Sequence, residues 1–387
     1  MRVRPILWIN AALVFPAAVS LYAGVRNSLS RSQDFQWSGT YLALQHIDPY
    51  SQFLSHDPEH RILLSQVPNY LHELYILLLP LGALSFSHAK PIWAFLNCLF
   101  AVLIAFVLRR IYDLPSSQTL LLLLLLFSST PFRIVLGNGQ QSLLELLLFC
   151  LIFYFTKPTG QGIVLGLSYA KYSFSPVVVL YLFFRRRFRV LAISLALPLL
   201  GLLAMALLVH GSLLTLAAEP FAVSRADSIN GLGNLMTIIQ IACRNALSLT
   251  LTQKIMAAAA LLASVIFTFA LSRRQNISPR REAAALAVAT LMFFPHRTYD
   301  YVFLAIPLAA ALAAPFRWAK TYILATVALL WFGIKLIPVS LPPRVQLIEQ
   351  LTVFLLLSGI LLLLSRNALA PQPHTVESCT SNIAEVV

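Results

Sequence analysis

Apolar runs of about 18 residues or more recur along this chain, and short clusters of arginine and lysine separate them. No other feature limits the fold so strongly. Lipid offers backbone N–H and C=O groups no water to bond, so each crossing segment must satisfy its own, and helices are the expected element. A transmembrane barrel would need short segments of alternating polarity, whereas Leu120–Phe127 is an unbroken apolar run. Composition agrees: 59% of the residues are hydrophobic, 11% are charged, and the mean hydropathy is +0.79. The expected fold class is all-α, a polytopic transmembrane helix bundle of about 10–12 spans.

A net charge of +14 in 387 residues raises the question of nucleic acid. The basic residues answer it by position. Arg109-Arg110, Arg185-Arg186-Arg187, Arg273-Arg274 and Arg280-Arg281 lie between apolar runs, the pattern of cytoplasmic anchors on anionic lipid headgroups. Membrane lipids are therefore expected partners and nucleic acid is not. Cys98, Cys150, Cys243 and Cys379 are scattered, so neither a disulfide framework nor a zinc site is expected. His72-Glu73 has no partner motif for a metal, and no cofactor is expected.

The positive-inside rule gives a path. Arg2 and Arg4 keep the N-terminus inside, and the stretch from Pro5 to Gly24 reads as a retained first span, without a signal-peptide cleavage site. A long polar loop follows outside. Tyr70–Phe86 is apolar but interrupted by Pro80, and Arg109-Arg110 must return inside. That stretch is therefore expected to be a re-entrant or interfacial pair of short helices in the first outer loop. Thr119–Leu136 goes out and Ser142–Phe155 returns. Gly162–Phe184, flanked by basic residues on both sides, reads as a hairpin of two short helices with its tip near Lys171–Ser175. Arg189–Val209 goes out to a second outer loop at His210–Thr250, read as solvated, and five further passes follow it. Residues 1–366 form the membrane domain, and 367–387, with Pro371 and Pro373, read as a disordered inner tail. No internal repeat is visible.

On this path Asp34, Asp48, His72, Glu73, Gln140, Gln141, Lys171, Asp227, His296, Arg297 and Asp300 gather outside. Acids are scarce, 14 in the chain, and Asp34 follows directly after the first span. A carboxylate at a membrane boundary invites a chemical explanation.

Several pieces, in this order, resemble the polyprenyl-phosphate-dependent membrane glycosyltransferases of family 87, which have the GT-C architecture. They are Asp34-Phe35, Asp48-Pro49-Tyr50, Asn69-Tyr70 through Pro80, and Trp93 with Asn97. The turn Gly139-Gln140, the run from Gly162 through Gly166 to Lys171, and Pro295-His296-Arg297 complete the set. The resemblance covers about Ile6 to Pro315. Ser142, where the family often has Asn, and His296-Arg297-Thr298-Tyr299-Asp300, where it is rich in Trp and His, depart from the pattern.

The resemblance implies transfer of a mannose-like or arabinose-like sugar from a polyprenyl-phosphate donor to an extracytoplasmic glycan or glycolipid acceptor, at a bacterial plasma membrane. Asp34 would be the general base, and Lys171, Arg297 and His296 would meet the donor phosphate. Asp48, Tyr50, Gln140 and Gln141 would contact substrate. Each has a plainer alternative: a helix cap for Asp34 and the glutamines, snorkelling for Lys171, and an Arg297–Asp300 bridge. Trp37, Tyr41 and Tyr50 would suit stacking on a sugar ring or interfacial anchoring. The competing function is a transporter or flippase, which would be expected to show broken helices in two corresponding halves. A scaffold subunit would leave Asp34 and Lys171 without a task.

Overall fold

The computed structural model describes residues 3–31, 35–56, 67–226, 231–244, 246–274, 277–315, 318–333 and 342–365. Asp34, Asp227 and the expected tail at 367–387 lie outside the described residues. Among those described, every regular element is helical.

Helix α1 (Val3–Arg31) continues past the expected exit near Val25, because Arg26–Arg31 contains neither glycine nor proline to stop it. Two short helices follow, α2 (Trp37–Leu44) and α3 (Pro49–Leu54). Asp48 caps α3, its Oδ1 accepting the Tyr50 N–H at 2.9 Å, and Pro49 sits in the first turn where no N–H is needed. The expected pair of short helices over Tyr70–Phe86 is a single one, α4 (His72–Gly82), which runs through Pro80. The proline falls in the last turn, so it interrupts little of the hydrogen-bond ladder.

Next come α5 (Phe86–Tyr112), α6 (Ser116–Ser128) and α7 (Thr130–Asn138). The last two meet at a 60° bend. Ser129 makes it: its backbone is extended and its hydroxyl accepts the Phe132 N–H at 3.2 Å, capping α7. Gly139 then ends α7 at φ 68°, a left-handed conformation that glycine adopts without steric cost. Helix α8 (Ser142–Tyr154) leads to α9 (Pro158–Ser168), a 3-10 turn at Tyr169–Lys171, and α10 (Pro176–Phe184). This is the expected hairpin, with Lys171 at its tip. Gly162 and Gly166 let α9 lie directly on α11 (Phe188–Val209). A Cβ at Gly166 would stand 2.6 Å from the Ser194 carbonyl oxygen, and one at Gly162 would stand 2.9 Å from that of Val190.

The second outer loop is not a simple solvated loop but carries α12 (Leu213–Ala226) and α13 (Leu235–Cys243). Leu216 and Val223, two turns apart on α12, are buried against Tyr50, Tyr75 and Met205, which gives α12 an apolar face to dock. The chain ends with α14 (Leu249–Ser272), α15 (Pro279–Phe293), a 3-10 turn at Thr298–Leu304, α16 (Ala305–Ala313), α17 (Trp318–Ala328), a π turn at Leu329–Gly333, and α18 (Pro343–Ser365).

Helices α1, α5, α11, α14 and α18 are long and apolar enough to cross a membrane, and α6 with α7 makes a sixth if the bent pair is one span. The other expected spans are shorter. Their placement explains why. Nearly every residue of α8, α15 and α16 is buried, whereas α11 exposes Leu195, Leu199, Leu200, Leu203 and Leu207. Helices apolar all round belong in the middle of a bundle, and long helices with exposed leucines form its lipid-facing wall. The short central helices end inside the bundle, so their breaks can carry polar groups at its mouth.

Candidate functional site

Three such breaks converge: the turn before α8, the tip between α9 and α10, and the segment between α15 and α16. Asp300, on the 3-10 turn that opens the run into α16, joins them. Its Oδ1 accepts from Lys171 Nζ at 2.6 Å and from the Ser142 hydroxyl at 2.6 Å. Its Oδ2 accepts the Arg297 main-chain N–H at 3.0 Å. Lys171 Nζ also donates to Ser142 Oγ at 3.2 Å and lies over the rings of Phe174 and Tyr299, 4.7 and 5.2 Å from their centroids.

His296 belongs to the same group. Its Nδ1 stands 3.6 Å from Asp300 Oδ2, too far for a hydrogen bond. Its Nε2 lies 2.9 Å from the Thr290 carbonyl and must carry a proton there, because a carbonyl only accepts. Burial alone would raise the Asp300 carboxyl, but Lys171 and then His296 outweigh it and hold it below the ordinary carboxylate range. The group is thus built around one permanent anion.

Sequence-predicted residues fall into two places. Lys171, His296, Arg297 and Gln141 meet at this cluster or beside it. Gln141 is fully buried and donates its Nε2 to the Phe35 carbonyl at 2.9 Å. Phe35, the residue after Asp34, stacks on Trp93 at 5.2 Å, and Trp93 Nε1 donates to the Gly139 carbonyl at 3.0 Å. The loop entering after α1 is therefore pinned to the turn before α8 through two of the motif residues. Gln140 is buried in that same turn.

Asp48 and Tyr50 lie elsewhere, in the smaller core with α4, α11 and α12. Tyr50 is fully buried and donates its hydroxyl to the Tyr70 carbonyl at 2.7 Å. Asp48, besides capping α3, faces Glu219 of α12. Burial, then this contact, pushes the Glu219 carboxyl up to about 8. Among the described residues, no group of three histidine, cysteine, aspartate or glutamate side chains could hold a metal ion.

Where the sequence offers an Arg297–Asp300 bridge as the plainer alternative, the carboxylate faces Lys171 and the Arg297 main chain. Sequence reasoning noted Ser142 only as a departure, and passed over Glu145 entirely. A helical reading of Gln141, Ser142 and Glu145 carries the signal: spacings of three and four put all three on one face of α8.

A comparison with curated proteins and another with solved structures each found no match. A scan against family models matched one, glycosyltransferase family 87, over residues 74–330. Gln140, Gln141, Lys171, His296 and Arg297 fall inside the matched region, and Asp34, Asp48 and Tyr50 precede it. With that match extending over more than half of its length, the chain belongs to glycosyltransferase family 87.

Proposed function

We propose that this membrane glycosyltransferase moves a mannose-like or arabinose-like sugar from a polyprenyl-phosphate donor to a glycan or glycolipid acceptor on the extracytoplasmic face. The observation that carries the reading is the buried Lys171–Asp300 pair at the meeting of three helix breaks, with the Arg297 main chain and His296 beside it. Lys171 donates two of its three N–H groups in hydrogen bonds to Asp300 and Ser142, leaving one for a further acceptor. Lys171, and Arg297 at the start of the turn that carries Asp300, would supply the cations that the phosphate of a phosphodiester-linked sugar needs.

In the reaction, Asp34 takes the proton of an acceptor hydroxyl. The oxygen attacks the anomeric carbon as the bond from that carbon to the phosphate oxygen breaks. The electron pair stays on the departing polyprenyl phosphate, whose growing charge Lys171 and Arg297 stabilise. A phosphate leaves as a stable anion, so no general acid is required. Support for Asp34 comes from its neighbour: Phe35 is tied by Gln141 to the helix whose first residue, Ser142, touches Asp300 and Lys171. Asp34→Asn keeps the shape and removes the basic oxygen. Transfer should fall at least about 100-fold while donor binding persists. A folded variant that transfers sugar at the wild-type rate would reject Asp34 as the base.

A further inference from the structure

Beside the cationic cluster lies a set of buried acceptors that the chemistry above does not use. Glu145, one turn along α8 from Ser142, is 1% exposed, and neither of its carboxylate oxygens has a hydrogen-bond partner among the described residues. The Lys171 ammonium and main-chain N–H, Asp300 and Glu73 are its polar neighbours, the N–H standing outside hydrogen-bonding geometry. Glu73, at the start of α4, is likewise buried with both oxygens unpartnered. Gln141 adds a third acceptor. Its Nε2 is committed to the Phe35 carbonyl, which fixes its orientation and leaves Oε1 without a donor.

A carboxylate near a helix N-terminus has a simple electrostatic rationale in the helix dipole. That rationale accounts for a glutamate at this position but not for two buried oxygens lacking donors, since buried polar atoms are normally bonded. A ligand that satisfies the set must bring several hydroxyl or amine donors next to an anionic group. A sugar attached to a phosphate does both.

We infer that Glu145 is a sugar-binding residue, its oxygens accepting hydrogen bonds from hydroxyls of the donor sugar while the Lys171 cluster receives its phosphate. The inference rests on the donor proposed above and adds the residue that reads the sugar. Gln141 Oε1 and Glu73 are further buried acceptors without donors.

The test compares two probes on the full-length protein in lipid nanodiscs: polyprenyl-phosphate mannose, and polyprenyl monophosphate without a sugar. The wild type should bind the sugar-bearing probe more tightly. Glu145→Gln should shrink that preference about 10- to 100-fold, the scale of hydrogen bonds to a charged group, and leave the sugarless probe within about twofold. A purely structural role would lower thermal stability and weaken both probes alike, which would overturn the inference. Should Glu145→Gln fail to fold, monodeoxy mannose donors on the wild type decide the matter. At least one must bind about tenfold more weakly, and equal binding of the whole series overturns the inference. Wild-type protein that binds and transfers from the mannose donor while Glu145→Gln keeps the full preference removes Glu145 alone. Wild-type protein that binds no polyprenyl-phosphate sugar removes the proposed donor as well.

Discussion

Asp300→Asn isolates the ion pair at the centre of the site. The Asp300 side chain is 3% exposed and that of Lys171 12%, so solvent screens the pair weakly. The amide fills the same space but cannot balance the ammonium. With Lys171, the Ser142 hydroxyl and the Arg297 N–H all donating toward it, the amide nitrogen must also face at least one donor. Breaking a buried pair from one side costs about 3–5 kcal/mol, because a charge remains buried without its partner. Lys171→Met in the same background removes that stranded charge. The double variant should therefore lose less than the sum of the two single losses, by about 1–3 kcal/mol. Equilibrium unfolding in mixed detergent micelles, followed by far-ultraviolet circular dichroism, reads all four corners of this cycle. If Asp300→Asn stays within about 0.5 kcal/mol of wild type, the scale of a surface substitution, the pair is not the buried, mutually dependent unit described. Strict additivity of the two changes would refute the coupling even if each alone destabilises.

Two further outcomes follow from packing and titration. Gly166→Ala puts a methyl group 2.6 Å from the Ser194 carbonyl oxygen, so α9 and α11 must separate. A loss of about 1–3 kcal/mol is expected, and an unchanged unfolding midpoint would show that the contact is looser than described. Glu219 is protonated in the folded protein up to about pH 8, against an ordinary value of 4.5. Its contribution to stability is thus complete below about pH 4.5 and is lost as the pH rises toward about 8, because the unfolded chain ionises first. Unfolding midpoints measured across that window should decline in the wild type and flatten in Glu219→Gln, and identical slopes in the two proteins would discount the Asp48–Glu219 contact.

The sequence by itself determined the fold class, because apolar runs in lipid admit only elements that close their own hydrogen bonds. It also located the α9–α10 hairpin, since basic residues on both flanks forbid a single crossing, and it singled out Lys171 at the tip. The span lengths were not legible in the same way. Hydropathy cannot distinguish α8, α15 and α16, buried among other helices, from segments facing lipid, because both are uniformly apolar. The single helix through Pro80 and the folded second outer loop depended on neighbours as well: α12 is ordered by packing Leu216 and Val223 on Tyr50 and Tyr75. The partner of Asp300 was likewise decided in three dimensions. Local spacing offered Arg297, three residues away, while the bundle brought in Lys171 from 129 residues along the chain. A buried carboxylate pairs with whichever cation the packing desolvates beside it, and only the tertiary structure fixes which one that is.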